Sequence, residues 1–222
     1  MGATKFAMAS TRVIGTCAVG GQAIGTAAAL LCASDKYDVR DIEIDKLQQL
    51  LLKDDCYLPK LANSDEKDLA RSCTIKASSE EVGYPASNVI NGVTRAIDGE
   101  CNQWRSKDNE AEGFIEMQLR KSANVQTVQL TFDSNFDIEK KITMSSTRQN
   151  QQVPGIPKEL ICDYNIVFLL NGKEVSCKEI RGNFQRVNRI SFEPVLCDCV
   201  RIDILSTNGD LSAKIFEVRI YE

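Results

Sequence analysis

Histidine is absent from all 222 residues. That removes the commonest general base, the commonest zinc ligand and every Ser-His or Cys-His nucleophile pair, so self-contained hydrolytic chemistry is not expected and no catalytic residue is assigned. Proline is scarce, with five residues, and tryptophan occurs once, at Trp104. There is no basic block. Lys and Arg number 27 against 31 Asp and Glu, a formal net charge of -4, so the electrostatic footprint of a nucleic-acid binder is missing. No CxxC pair occurs among the nine cysteines, which argues against a zinc knuckle. The nearest two, Cys197 and Cys199, fall on one face of a strand. Several cysteines lie in alternating patterns where a small apolar residue fits, so free thiols packed as small hydrophobes are preferred over a disulfide framework.

What is present is ordinary globular content, 43% hydrophobic and 26% charged, with length for one domain and an extra piece. The apolar stretch Val13 to Ala33, after Lys5, imitates a secretory signal, and Ala28 to Cys32 imitates a lipoprotein cleavage site. The stretch is too long for a signal core and carries Thr16, Gln22 and Thr26, and Leu31 stands where a small residue is needed. Gly21 and Gly25 have the spacing of close-packed membrane helices, but the scarcity of large aliphatics favours a helix buried in protein, so no membrane partner is expected.

Gly20 to Leu31 therefore reads as a buried helix starting at the glycine pair. Asp38 to Asp54 reads as an amphipathic helix with Ile42, Ile44, Leu47, Leu50 and Leu51 on one stripe. Pro59 stops it, and the charged run Asp65 to Asp68 reads as a solvated connector. The expected organisation is a helical segment over 1–60, a linker over 61–72 and a β domain over 73–222. From Cys73 the period changes to two, with strands expected at Cys73–Ser79, Phe114–Leu119, Val125–Asp133, Cys162–Leu170, Val175–Ile180, Arg186–Phe192, Cys199–Leu205 and Ala213–Tyr221. Asn171-Gly172 marks a hairpin, and Ser145 to Gln152 is a polar loop. The fold class is mainly β: an antiparallel jelly-roll sandwich preceded by two helices.

The segment Gly83 to Ser106 resembles the signature loop of discoidin-type domains, also called factor 5/8 C-terminal-type or galactose-binding-like modules. Ala86 to Gly92 matches the first half, with Asn91 where the family usually has Asp. Thr94 to Asn102 reads as an insertion carrying a second DG at Asp98-Gly99, before Trp104, and the closing strand Ile215 to Glu222 matches the family's ending. The resemblance covers about residues 70 to 222. It implies a structural calcium wrapped by the loop, with side-chain oxygens from Asn91, Thr94, Asp98 and Asn102 and the terminal Glu217. The alternative is a metal-free turn held by Asn and Thr hydrogen bonds. Trp104 is a candidate sugar platform, although in the family the Trp closing this loop packs beneath it. Tyr84, Arg105, Arg148 and Asn150, in expected loops, are candidates for a polar ligand rim or for solvated surface.

The segment Ser10 to Leu30, with Val39 to Pro59, resembles the C-terminal end of the nucleotide domain of FAD-dependent oxidoreductases, in which a final helix begins at a Gly-rich turn beside the flavin. The resemblance implies that Gly20, Gly21, Gln22 and Ala23 face that cofactor from a helix N-terminus. Tight packing of a small-residue helix on a sheet would leave the same composition. The ADP-binding GxGxxG occurs nowhere, so the chain is not expected to hold FAD by itself. It reads as the tail of an oxidoreductase domain followed by an appended sandwich. The expectation is a non-catalytic module that binds carbohydrate or anchors its parent enzyme. The alternative is flavin-dependent oxidoreduction in the full-length parent, with the sandwich purely structural. Expected partners are carbohydrate, the rest of the oxidoreductase domain or a second copy, and a glycan role would favour export.

Overall fold

The computed structural model describes residues 4–5, 7–8, 14–35, 38–138 and 143–222, and the chain divides into two compact units, Met1–Asn63 and Ser64–Glu222. In the first unit, helix α1 spans Ile14–Cys32 and helix α2 spans Ile44–Lys53, with a 3-10 turn at Val39–Asp41 between them. The expected helix start at Gly20 is corrected. Gly20, Gly21, Gln22 and Ala23 lie inside α1, where N–H groups close helical turns and are not the free donors of a first turn. Each interior glycine weakens a helix by about 1 kcal/mol, which is too little to stop one whose neighbours continue it. No residue of α1 is buried, contrary to the expected core helix. By length and composition α1 is also long and apolar enough to cross a membrane, a test that core helices of soluble proteins pass too. On α2, Leu51 and Leu52 are buried, and the Gln49 side chain donates to the Ala62 carbonyl at 3.2 Å, folding the following segment back on the helix.

The second unit begins before its first strand. Asp68, expected in a solvated connector, is 4% exposed and accepts from the backbone N–H of Ala70 at 3.1 Å and of Ile220 at 3.0 Å. It caps the 3-10 turn Leu69–Ser72 and ties it to the closing strand, so this stretch belongs to the domain.

Among the described residues seven strands follow: β1 Thr74–Ala77, β2 Trp104–Arg105, β3 Gly113–Phe132, β4 Ile161–Leu170, β5 Lys173–Ile180, β6 Val187–Thr207 and β7 Lys214–Tyr221. All pair antiparallel, in the order β2-β7-β3-β6-β4-β5, with β1 on β3. Two pairs of expected strands are single long ones, β3 with 20 residues and β6 with 21. The β3–β6 register breaks between Gln118 and Ala123. Before the break β3 pairs with β1 and the end of β6; after it, with β7 and the start of β6. Side chains from both halves, such as Ile115 and Met117 with Val128 and Leu130, share one buried cluster. The two long strands thus bend across both layers of a sandwich. Asn171 and Gly172 both have positive φ, 52° and 73°, the two-residue hairpin turn expected between β4 and β5.

The register places almost every long connection at one end. The C-termini of β1 and β5 and the N-terminus of β3 lie there, with the loops 78–103, 106–112, 181–186 and 208–213 and the described parts of the β3–β4 connection. Backbone bonds stitch these loops together, among them Ser106 N–H to Ala213 O and Asp210 N–H to Lys158 O, each at 3.0 Å. A short helix, α3 at Ser146–Asn150, occupies the expected polar loop.

All nine cysteines are free thiols. Burial pushes the Cys197 thiol up to about 11 and those of Cys73 and Cys199 up to about 12, so these three stay protonated and unreactive at neutral pH. Cys17 and Cys32 are exposed.

Candidate functional site

The signature loop opens with a 3-10 turn at Ala86–Ile90, and amide side chains hold its arms. Asn88 Nδ2 donates to the carbonyls of Cys101 at 3.1 Å and Gln103 at 3.0 Å. Asn91 Oδ1 accepts from Val93 N–H at 2.8 Å, Asn91 Nδ2 donates to Asn102 Oδ1 at 2.9 Å, and Asn102 Nδ2 donates to Arg95 O at 3.0 Å. Asp98 and Gly99, both at positive φ, form a tight exposed turn closed by reciprocal bonds between Ile97 and Glu100. Thr94 Oγ1 accepts from Arg95 Nη1 at 3.0 Å.

These bonds bear on how well the loop's residues fit a calcium ion. Of the five expected ligands only Asp98 and Glu217 carry charge. Asp98 stands on the exposed turn, and Glu217 Oε2 is engaged by Arg219 Nε at 2.7 Å. The side-chain oxygens of Asn91, Thr94 and Asn102 already accept N–H donors. A calcium ion needs six to eight oxygens with their lone pairs turned to it, so these residues do not fit one as they stand. Among the described residues no group of three or more His, Cys, Asp or Glu is placed to hold a metal ion.

Trp104 is fully buried, and its indole N–H donates to Ser79 O at 3.0 Å. A ring with no exposed face cannot stack on a sugar, so the platform expectation is corrected. Tyr84 and Arg105 do come together, with the guanidinium 5.7 Å from the phenol ring centroid and bonded to Asp108 at 2.8 Å. A hydrogen bond with Cys101, together with burial, raises the Tyr84 phenol above its ordinary value. Arg148 and Asn150 are exposed on α3, and no hydrogen bond joins them to the Tyr84–Arg105 pair.

Two aromatic residues at the loop end escaped the sequence reading. Phe184 is 64% exposed although its neighbours are firmly held. Asn183 is buried, and its side chain donates to Ile161 O at 2.8 Å and Gln185 O at 3.0 Å while accepting from Gln185 N–H at 3.0 Å. Gly182, at φ 66°, donates its N–H to Asp163 Oδ1 at 2.8 Å. Phe136 is 59% exposed and follows Asn135, which is at φ 53° and is fixed by bonds to Asp133 at 2.8 Å and Glu159 at 2.6 Å. The guanidiniums of Arg95 and Arg186 each lie 4.5 Å from the Phe136 ring centroid. Beside them burial raises the Asp133 carboxyl, an effect that Lys214 and Arg186 oppose. The only sequence signal was an Asn-Phe dipeptide, repeated in two loops at 135–136 and 183–184, that puts an aromatic ring directly after a turn-forming residue.

Solved structures align with most of the chain. The lectin domain of lectinolysin, complexed with Lewis B antigen, is 16% identical over 71% of this chain and 97% of that one, with TM-score 0.54. The family 32 module from C. perfringens NanJ, in complex with galactose, is 21% identical over 70% and 98%, with TM-score 0.50. The family 32 carbohydrate-binding module from Streptococcus pneumoniae EndoD is 18% identical over 70% and 99%, with TM-score 0.53. The sandwich has the galactose-binding-like fold. At these identities the likeness establishes the architecture, and function must be argued from this chain's own loops. Residues 1–51, ahead of the galactose-binding-like sandwich, match the family model described as FAD dependent oxidoreductase. No curated protein matches the chain.

Proposed function

We propose that the galactose-binding-like sandwich is a carbohydrate-binding module that performs no catalysis itself, with its binding surface at the loop end around Phe184 and Phe136. The observation that carries this reading is the exposed Phe184 ring on a turn locked by Asn183 and Gly182. A phenylalanine that sheds no exposure although its backbone is fixed presents a pre-ordered apolar face, the surface that the C–H face of a pyranose covers. Because the turn is already rigid, binding would cost little ordering entropy. Gln185, exposed beside Phe184, supplies donors and acceptors for sugar hydroxyls. The carbohydrate-complexed neighbours of the same fold support the reading by analogy. The role we infer is recognition of a glycan that brings an attached oxidoreductase to its substrate, which would favour an exported protein.

The match of residues 1–51 favours a second reading, in which a longer parent is an FAD-dependent oxidoreductase and the sandwich is a structural partner. In that reading α1 and α2 pack against the rest of the oxidoreductase domain or against a second copy. A broad glycan array probed with the full chain separates the two. Saturable binding to at least one glycan class supports recognition, and a blank array moves the weight to the structural role. The purified chain is expected to show no flavin absorbance, because the ADP-binding glycine motif is missing. Bound flavin would overturn the expectation that these residues do not hold FAD by themselves.

A further inference from the structure

We propose that Arg186 does for this sandwich what a bound cation would do for its signature loop, so that the loop end is ordered without a divalent metal. One guanidinium joins two segments far apart in the chain. Nη1 donates to Phe132 O at 2.5 Å, at the end of β3, and Nη2 donates to Thr94 O at 2.6 Å, in the signature loop. The backbone of the same residue accepts from Phe132 N–H at 2.9 Å, which fixes where the side chain starts. Arg95 adds a second guanidinium to the same Thr94 carbonyl at 2.8 Å.

The surroundings distinguish a guanidinium from a metal. Arg186 lies 4.5 Å from the Phe136 ring centroid and 5.0 Å from that of Phe216. A planar, weakly hydrated cation is stabilised by aromatic faces and by carbonyls aligned with its N–H fork. Calcium gains nothing from phenyl rings and requires a shell of oxygens that this loop has given to amides. The positive charge is permanent, since arginine does not deprotonate in proteins. The consequence for Phe136 is direct, because the residue that ties the loops also supports its ring. This inference stands whether the bound ligand is a sugar or not.

The test uses the full chain, with thermal unfolding and amide exchange of residues 93–97 as readouts. In wild type, EDTA and millimolar calcium are expected to give melting temperatures within about 1 °C of each other, as for a protein with no native-state metal site. Arg186→Met keeps the bulk but removes the charge and the fork. It is expected to lower the melting temperature by about 5–10 °C and to speed exchange at 93–97. Arg186→Lys, which keeps the charge but can direct only a point donor, is expected to fall between the two. Calcium raising the wild-type melting temperature by several degrees would overturn the proposal, as would an Arg186→Met protein exchanging like wild type. If Arg186→Met does not fold, the calcium response of wild type and the melting temperature and 93–97 exchange of Arg186→Lys relative to wild type decide: a lysine variant indistinguishable from wild type in both would overturn the proposal.

Discussion

Replacing Trp104 with alanine is expected to cost about 3–5 kcal/mol, the range for deleting a large buried aromatic. The ring has no exposed surface, sits on the two-residue strand β2 opposite Ile215, and donates its indole N–H to Ser79 O. Removing it leaves a cavity between the signature loop and β7 and orphans that carbonyl. For a domain of this size the loss corresponds to a fall of about 6–20 °C in melting temperature. Denaturant unfolding would show the change as a lower midpoint with little change in slope. Tryptophan fluorescence offers an independent check, since Trp104 is the only tryptophan and its emission should be blue-shifted until unfolding. A Trp104→Ala protein with wild-type stability and reduced ligand binding would instead make this residue the platform that its burial excludes.

The second large effect concerns Glu217 and Arg219. They lie two apart on β7 and so share a face, and they are bonded at 2.7 Å with side chains 2% and 1% exposed. Arg219→Met removes one partner and leaves a buried carboxylate without its counter-ion, a change expected to cost about 3–5 kcal/mol. Glu217→Gln is the complementary single change. The double variant, with no charge at either position, is expected to recover much of the loss, because buried ion pairs often exchange for neutral groups at little net cost. A double-mutant cycle from urea unfolding measures this, and the expectation is coupling of more than about 1 kcal/mol. Strictly additive single-variant losses would show that each residue acts through other contacts, and would reopen the question of what Glu217 does.

Much of this architecture was legible. Alternation located β1, β4, β5 and β7 to within a few residues, and Asn171-Gly172 named its own turn because few sequences other than such a pair tolerate two successive positive φ values. The joining of Phe114–Leu119 to Val125–Asp133 was not legible. The exposed polar run Arg120 to Ser122 interrupts the pattern near the break in pairing, and such a run looks the same as a loop until the pairing with β6 is known. The start of α1 was missed because a glycine pair resembles a punctuation mark, while Ile14 to Val19 carry no residue that forbids a helix.

The site was harder to read, for a physical reason. Asn, Thr and Asp in a loop supply the oxygens a cation needs, and the same oxygens cap turns and accept amide bonds. The sequence of Asn91 to Asn102 does not separate these uses, and the bonds Asn91–Asn102 and Asn102–Arg95 show the amides engaged in holding the turn. Trp104 raised the same ambiguity between packing and display, and burial resolved it. Phe184 and Phe136 went unmarked because an isolated aromatic in a polar loop is as often folded inward. Their exposure depends on bonds from Asn183 to Ile161 and from Asn135 to Glu159, whose partners lie 22 and 24 residues away.

The central claim is that this sandwich recognises carbohydrate through a pre-ordered ring at its loop end. Calorimetric titration of an array-selected glycan into wild type and Phe184→Ala tests it most directly. The account predicts saturable binding by wild type and a loss of at least about tenfold in affinity for the variant, the scale of a lost aromatic anchor. The melting temperature should be unchanged within the small shift typical of a surface substitution. Undiminished affinity in Phe184→Ala would contradict it.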